Sequence, residues 1–262
     1  MKPIRYLVLL LFLALSLQAA DTLVIAACDE AVINHFGDII TLSRHDGVLR
    51  RYTGGQLKNI FSGKSFSSKL ILQNPLRPVP DDPDLIYILD AADGRVIAWD
   101  RFLNVHSITP LSRNINSPAE FTVTSEHDWL IYDRFNEQIL QVHPNQHYLY
   151  RWGDKPVSGD LYMFNINQHV LLHLKDMKRL RICDDKGRSI REYDIPDSLQ
   201  VRRVLPLNID RIGLVCDDGV HIWEPDKKSC RFISPLGDAV FMRMEDTSHT
   251  LISSRGIVVT IP

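Results

Sequence analysis

The histidines are the residues of this chain best suited to hold a metal ion, but their spacing does not gather them. The chain has 10 histidines among 262 residues. His169 and His173 lie four positions apart in a segment that predicts a β-strand, so both face the same side of the sheet. At about 3.3 Å per residue they are expected about 13 Å apart, too far to share one ion. The sequence therefore predicts neither a metal nor another cofactor.

Short catalytic motifs are absent or incomplete. The sequence contains no H-E-x-x-H zinc motif and no G-x-S-x-G nucleophile motif. Residues 63–65 (GKS) resemble the end of a phosphate-binding loop, but Lys58 stands where that loop needs glycine. Asp90, Asp133 and Asp217 follow predicted strands, where Asp commonly accepts hydrogen bonds from backbone amides of a turn. No catalytic residue is predicted, and a non-enzymatic role is favoured.

Six copies of one strand pattern organise the chain. Each copy begins with a polar residue, continues as a short apolar strand, turns on polar residues and resumes as a second strand. The copies begin at Asp38, Asp84, Asp128, His169, Arg211 and His249. A period of about 40 residues made only of strands and turns is typical of propeller blades. Residues tolerant of positive φ fall between the second and third strands, as tight turns require; they are Asp46-Gly47, Asp93-Gly94, Asp218-Gly219 and Arg255-Gly256. The predicted fold is an all-β, six-bladed β-propeller with four-stranded blades.

The two ends of the chain are predicted to close the ring. The sixth repeat supplies three strands, over residues 240–244, 250–253 and 257–261, and lacks a fourth. Residues 22–26 form a strand-like segment that precedes the first blade. Pairing this segment with the last blade completes the blade and covers an open sheet edge. We therefore expect residues 21–262 to form a single propeller domain.

One family signature is visible in the second repeat. Residues 87–100 (YILDAADGRVIAWD) resemble the core of an NHL repeat, in which a strand ends in Asp, a short turn and an arginine follow, and the next strand ends in an aromatic residue and Asp. Residues 131–140 (IYDRFNEQIL) resemble it in part, whereas the other repeats keep only the strand rhythm. The resemblance implies an NHL-like six-bladed propeller. It also implies two functional classes: a binding or assembly module, or a metal-dependent lyase or lactonase with its site in the central channel.

A partner-binding face can be predicted from the propeller topology. In propellers, the turns between second and third strands lie on the same face as the connections between blades. These segments offer eight side chains, here called the predicted rim: Arg44, His45, Arg113, Asn114, Arg134, Phe135, Asn136 and Asp176. A surface that mixes arginines, an aromatic ring and amides suits a protein or peptide partner. We therefore expect such a partner to bind this face.

Residues 1–20 have the order of a secretory signal peptide. Two basic residues precede an apolar run over residues 7–17, and small residues up to Ala20 suit cleavage. The apolar run is too short to span a bilayer, and no later segment approaches that length. The sequence predicts export to the periplasm or the extracellular space of a bacterium.

A second processing route has a sequence basis. Residues 25–28 (IAAC) resemble a lipobox, in which Cys28 would become the lipidated N-terminus of a membrane-anchored lipoprotein. Polar residues at 21 and 22 interrupt the apolar run that should lead into such a site. Lipidation would also remove the strand that is predicted to close the ring. Cleavage near Ala20 is favoured, and lipidation at Cys28 remains the alternative.

Composition excludes one class of partner and leaves the redox state open. The chain has 30 basic and 32 acidic residues, with a formal net charge of −2. This charge provides no electrostatic reason to expect nucleic acid. Disulfides are permitted in an exported chain, and four cysteines allow three pairings. Because Cys183, Cys216 and Cys230 fall within predicted strands, buried thiols are favoured over disulfides.

Overall fold

The computed structural model describes residues 21–62, 70–81, 84–144, 149–153, 156–245 and 248–261. These residues form 24 β-strands and one 3-10 helix, Pro225–Lys227. The predicted signal peptide and the Gly63–Ser65 segment lie outside the described residues. No helix in the described ranges has the length and apolar character that a membrane crossing requires.

The strands form six four-stranded antiparallel blades, as the sequence predicts. The first blade contains β2 (Glu30–Ile33), β3 (Ile39–Ser43), β4 (Val48–Thr53) and β5 (Gln56–Ser62). The second contains β6 (Val79–Pro80), β7 (Leu85–Asp90), β8 (Arg95–Asp100) and β9 (Val105–Pro110). The third contains β10 (Pro118–Val123), β11 (Trp129–Asp133), β12 (Gln138–Val142) and β13 (Leu149–Trp152). The fourth contains β14 (Leu161–Ile166), β15 (His169–Leu174), β16 (Arg179–Cys183) and β17 (Ser189–Asp194). The fifth contains β18 (Val201–Pro206), β19 (Ile212–Cys216), β20 (Gly219–Glu224) and β21 (Ser229–Ser234). The all-β, six-bladed propeller is confirmed.

The sixth blade is closed by the beginning of the chain. It consists of β22 (Ala239–Glu245), β23 (Ser248–Ser253), β24 (Ile257–Ile261) and β1 (Asp21–Val24), in the order β22-β23-β24-β1. Strand β1 pairs antiparallel with β24, from Asp21 opposite Thr260 to Val24 opposite Ile257. The strand therefore ends earlier than the predicted 22–26 segment. Beyond it, the Ile25 amide still donates to the Gly256 carbonyl at 2.8 Å.

The core lies between neighbouring blades. Strands β11 and β19 are buried along their whole length, because both faces of a central blade strand pack against adjacent sheets. Trp99 of the second blade is fully buried and meets the ring of Phe61 from the first blade at a centroid distance of 4.4 Å. Strands of this kind are apolar at nearly every position instead of alternating, which is typical of sheets covered on both faces.

Aspartates at the ends of equivalent strands fasten the connections between blades. Asp90 accepts the Gln73 and Asn74 amides, and Asp133 accepts the Asn116 and Ser117 amides. Burial acts to raise the pKa of Asp133, but the hydrogen bonds that this carboxylate accepts outweigh it and hold the pKa below its usual value. Asp90 and Asp133 therefore have a structural role in the second and third blades.

Candidate functional site

The innermost strands of all six blades surround a cavity of about 390 Å³, here called the channel cavity. These strands are β2, β6, β10, β14, β18 and β22, and each is the first strand of its sheet. Side chains of an inner strand alternate between the channel and the blade interior, so each blade contributes only a few groups to the cavity. A volume of this size is in the range of small-ligand sites.

Glu30 anchors the first charged group of the channel cavity. Its carboxylate is buried, and it accepts the Arg44 guanidinium at 2.8 Å and the Arg203 guanidinium at 3.2 Å. Arg44 comes from the turn after β3, where its amide donates to the Asp29 carboxylate at 2.7 Å. Arg203 comes from β18 and also donates to the Val240 carbonyl at 3.4 Å. The Glu30 carboxylate thus joins the first and fifth blades at the channel, and Arg203 extends this contact to the sixth blade.

Glu120 and Arg77 form the second charged group. Glu120 begins the buried part of β10, and Arg77 precedes β6, with 3.3 Å between Arg77 Nη2 and Glu120 Oε1. The same guanidinium donates to the Met163 carbonyl and lies over the Phe164 ring at 4.2 Å from its centroid. This arginine therefore links the second, third and fourth blades.

Burial shifts the pKa of Glu120 close to neutral pH. Burial of the carboxyl is the largest cause that raises its pKa, to about 7, and the charge of Glu30 adds to the effect. The Arg77 guanidinium acts in the opposite direction. Because the charge of Arg77 only partly offsets the effect of burial on the pKa, the Glu120 carboxyl can exchange a proton at physiological pH.

The channel cavity carries more positive than negative side chains, and the rest of its lining is largely apolar. Three guanidinium groups face two carboxylates, one of which titrates near neutral pH. The Arg44 Nε is buried and has no hydrogen-bond acceptor within the described part of the chain. The remaining lining is largely apolar and includes Val32, Val204, Phe164, Phe241 and Met242. This arrangement suits a ligand with an anionic group and an apolar body.

The charged groups lie at one end of the channel. Arg44 belongs to a turn between second and third strands, and Arg77 belongs to a connection between blades, so both lie on the face of the predicted rim. A second cavity of about 410 Å³ shares Glu30, Arg44 and Arg203 with the first. It extends over the first, fifth and sixth blades as far as Asp238. The charged end, here called the channel mouth, therefore continues into a groove on that face.

The predicted rim is only partly gathered. Arg44 lines the channel mouth, whereas the other seven residues are exposed around it and do not line either cavity. Arg134 and Asp176 both contact Asp160: Arg134 pairs with its carboxylate at 2.6 Å, and Asp176 accepts its amide at 3.0 Å. Phe135 is 75% exposed beside them.

The remaining rim residues stay separate. Asn136 donates its side-chain amide to Asp133 at 2.6 Å, which ties it to its own turn. His45 is exposed on the turn that carries Arg44. Arg113 and Asn114 are exposed on the connection before β10. The rim therefore forms one linked cluster between the third and fourth blades, with single exposed side chains elsewhere.

Four channel residues were missed by the sequence analysis: Glu30, Arg77, Glu120 and Arg203. The available signal was a charged residue inside an otherwise apolar inner strand, as at Glu120 and Arg203. This signal is weak, because the partners that make a site are far away along the chain.

The described histidines do not build a site in the channel. Among the described residues that line the channel cavity there is no histidine. His173 is buried on β15 and stacks on Tyr162 with 5.8 Å between ring centroids. Burial lowers its pKa to about 4, so the ring is neutral at pH 7 and acts as a packing group.

Known proteins resemble the chain in fold but not in sequence. No protein-family model matches it, and no curated protein sequence matches it. The solved structure of virginiamycin B lyase from Staphylococcus aureus has a TM-score of 0.61 at 8% identity and covers 92% of this chain and 98% of that one. The structure of the glutaminyl cyclase of Myxococcus xanthus has a TM-score of 0.54 at 12% identity and covers 92% of this chain and 93% of that one. The structure of BamB from Moraxella catarrhalis has a TM-score of 0.51 at 11% identity and covers 91% of this chain and 97% of that one. At such identities the likeness shows a shared β-propeller fold.

Proposed function

We propose that this protein is an exported, NHL-like β-propeller that acts as a non-enzymatic binding module of the bacterial envelope. Its channel mouth would receive a carboxylate-bearing segment of a protein or peptide partner. One observation carries the proposal: three arginines surround two buried glutamates at the open end of an apolar cavity.

Charge and geometry support a carboxylate as the recognised group. Guanidinium groups bind carboxylates through paired, charge-assisted hydrogen bonds. The buried Arg44 Nε lacks an acceptor within the described residues, and a ligand carboxylate would supply one. The apolar wall with Phe164 and Phe241 would hold the side chain next to that carboxylate. A cavity of about 390 Å³ admits a chain end or a small molecule, so a folded partner would remain outside on the rim.

Export and processing remain part of the proposal. The order of residues 1–20 supports a signal peptide and a periplasmic or extracellular location. The pairing of β1 with β24 supports cleavage before residue 21 in preference to lipidation at Cys28. Cys28 is 5% exposed and its amide donates to the Ser254 carbonyl at 2.8 Å, an arrangement that processing at this residue would break.

The alternative is an enzyme of the lyase or lactonase class. Glu120 favours it, because a buried carboxyl with a pKa of about 7 in a cavity is suited to proton transfer. Against a metal-dependent reaction, the described carboxylates of the cavity are engaged by arginines, and no histidine accompanies them.

The test is peptide binding by the mature protein with matched variants. Fluorescent peptides with a free C-terminal carboxylate after an apolar residue would be titrated and compared with the same peptides amidated at that end. We expect Arg203→Gln to weaken binding at least about tenfold, since a lost charge-assisted contact of about 1.5–3 kcal/mol has this size. Arg188→Gln, an exposed change between β16 and β17 that lies outside both cavities and the predicted rim, is the control and should bind normally.

Two results would contradict the binding proposal. Equal affinity for free and amidated peptides would show that the C-terminal carboxylate is not the recognised group. Equal affinity of wild type and the Arg203→Gln variant would show that the peptide does not bind at the channel mouth. Turnover of lactones by the wild type, lost in Glu120→Gln, would establish the enzymatic alternative instead.

A further inference from the structure

A cluster of three metal-binding side chains lies on the hairpin of the fifth blade, away from the channel. Cys216 ends β19, Asp218 lies in the turn, and His221 belongs to β20. Their Sγ, carboxylate oxygen and ring nitrogen all lie within 4.8 Å of one another. In the part of the chain that the structure describes, no other three His, Cys, Asp or Glu side chains meet in this way.

The hairpin register brings these side chains together. Cys216 pairs with Gly219 and Leu214 pairs with His221, so Cys216 and His221 project from the same face of the two strands. Gly219 makes the turn possible: its φ is +140°, and a Cβ there would collide with the Ser234 carbonyl. Asp218 then lies above the pair, and its Oδ1 is 2.9 Å from His221 Nε2.

The three donors differ in burial, with the sulfur most buried and the carboxylate most exposed. Cys216 is 2% exposed, the His221 side chain 12% and the Asp218 side chain 66%. The sulfur is therefore shielded on the core side, and the carboxylate faces solvent. Thiolate, imidazole and carboxylate form a mixed set typical of Zn²⁺, and three protein ligands leave the fourth tetrahedral position for water.

Two neighbouring residues with metal-binding side chains are not part of the cluster. Asp217, the other acid of the turn, forms an ion pair with Arg202. Cys230 on β21 carries the other nearby thiol; it is exposed and is not among the three atoms that meet. The cluster therefore consists of the three side chains whose ligand atoms lie close together, and it does not include every nearby acid or thiol.

We propose that the fifth-blade hairpin is a Zn²⁺ site, with Cys216 Sγ, one Asp218 oxygen and His221 Nε2 as its protein ligands and a water molecule at the open position. Binding replaces the proton of the Cys216 thiol, which is released to solvent, and replaces the contact between Asp218 and His221. The site is independent of the channel mouth and of any partner bound there.

The test uses Co²⁺ as a spectroscopic substitute for Zn²⁺ on the reduced mature protein, purified without chelator. Cobalt bound through a thiolate gives a charge-transfer band in the near ultraviolet, and tetrahedral cobalt gives intense visible bands. We expect one equivalent of Co²⁺ to produce both, and Zn²⁺ to abolish them by competition. Loss of an outer-shell partner already weakens metal binding about 10–100-fold, so Asp218→Asn and His221→Asn should each weaken it at least about tenfold.

Matched controls separate this site from general affinity for cobalt. Asp217→Asn changes the adjacent exposed acid, and Cys230→Ser removes the nearby exposed thiol; both should retain the bands. Cys216→Ser should lose the charge-transfer band. Asp218→Asn changes an exposed side chain, so a normal denaturation profile of this variant would show that its weaker metal binding is not caused by misfolding. Absence of a thiolate band in wild type, unchanged affinity in both Asp218→Asn and His221→Asn, or loss of the band in Cys230→Ser would each overturn the proposal.

Discussion

Replacing Glu120 by Gln tests whether the channel holds a buried carboxyl that exchanges a proton near neutral pH. The carboxyl is 5% exposed, and its pKa rises from 4.5 to about 7 on folding, mainly because of burial. The folded protein therefore binds a proton at this residue over a pH range in which the unfolded chain releases it. The stability contribution from the protonated group is complete below pH 4.5 and is lost as the pH rises through about 7. Gln has nearly the same shape and has no charge to desolvate at any pH.

The size of the effect follows from the two pKa values. At about 1.4 kcal/mol per pKa unit, the interval between 4.5 and about 7 corresponds to about 3 kcal/mol of unfolding free energy. Wild type should therefore lose about 3 kcal/mol relative to the Glu120→Gln variant between pH 4 and pH 9. The comparison removes the titration of other groups, since both proteins contain them.

The assay is urea denaturation of both proteins at half-unit pH intervals from 4 to 9. Glu126→Gln serves as the control, because this glutamate lies exposed in the turn after β10 of the same blade. As an exposed surface change, it should stay within about 0.5 kcal/mol of the unfolding free energy of wild type. A flat difference for Glu120→Gln as well would refute the assignment of a buried, proton-exchanging carboxyl in the channel.

Three further changes test packing and ring closure by chemical denaturation. Arg77→Ala should lower the free energy of unfolding by about 3 kcal/mol at pH 8, because it leaves a buried carboxylate unpaired. Arg113→Ala changes an exposed side chain and should leave the free energy of unfolding unchanged. Ile25→Ala should cost about 2–3 kcal/mol because Ile25 is buried at the ring closure, whereas Val24→Ala, 72% exposed, should cost under about 0.5 kcal/mol. Gly219→Ala should cost about 2 kcal/mol because alanine rarely adopts a φ of +140°. Equal costs within a matched pair, or a neutral Gly219→Ala, would contradict the contacts described.

The fold could be predicted from the sequence because its determinants are local. Each blade repeats within about 40 residues, and each hairpin carries its own turn residues, as at Asp46-Gly47 and Asp93-Gly94. The closure of the ring was predictable for a different reason: three strands at one end and one at the other leave a single way to cover the open edge. The shortest strand, Val79–Pro80, escaped prediction because two residues with a proline carry no strand pattern.

The channel mouth could not be predicted, because its contacts are remote in sequence. Arg203 reaches Glu30 across 173 residues, and Arg77 reaches Met163 across 86. No local spacing records such pairs, and a charge inside an inner strand cannot be assigned to the channel before the ring is built. Arg44 was found because turns can be assigned to one face from topology. The hairpin with Cys216 and His221 could not be predicted for another reason: spacing along one strand reveals pairs on that strand, whereas this cluster spans two strands.

The energetic cost of the channel charges supports a binding role as much as their geometry does. Buried ion pairs are often no more stable than apolar side chains of the same volume, because desolvation offsets their attraction. Large parts of the blade interfaces are apolar, as around Trp99 and Leu130, so packing between blades does not by itself require charge in the channel. Yet Glu30 and Glu120 are buried there and paired with arginines, and the cavity continues from the Glu30 side into the second cavity. Because such charges add little to stability and lie where a ligand can reach them, they support the binding role that we propose for the channel mouth.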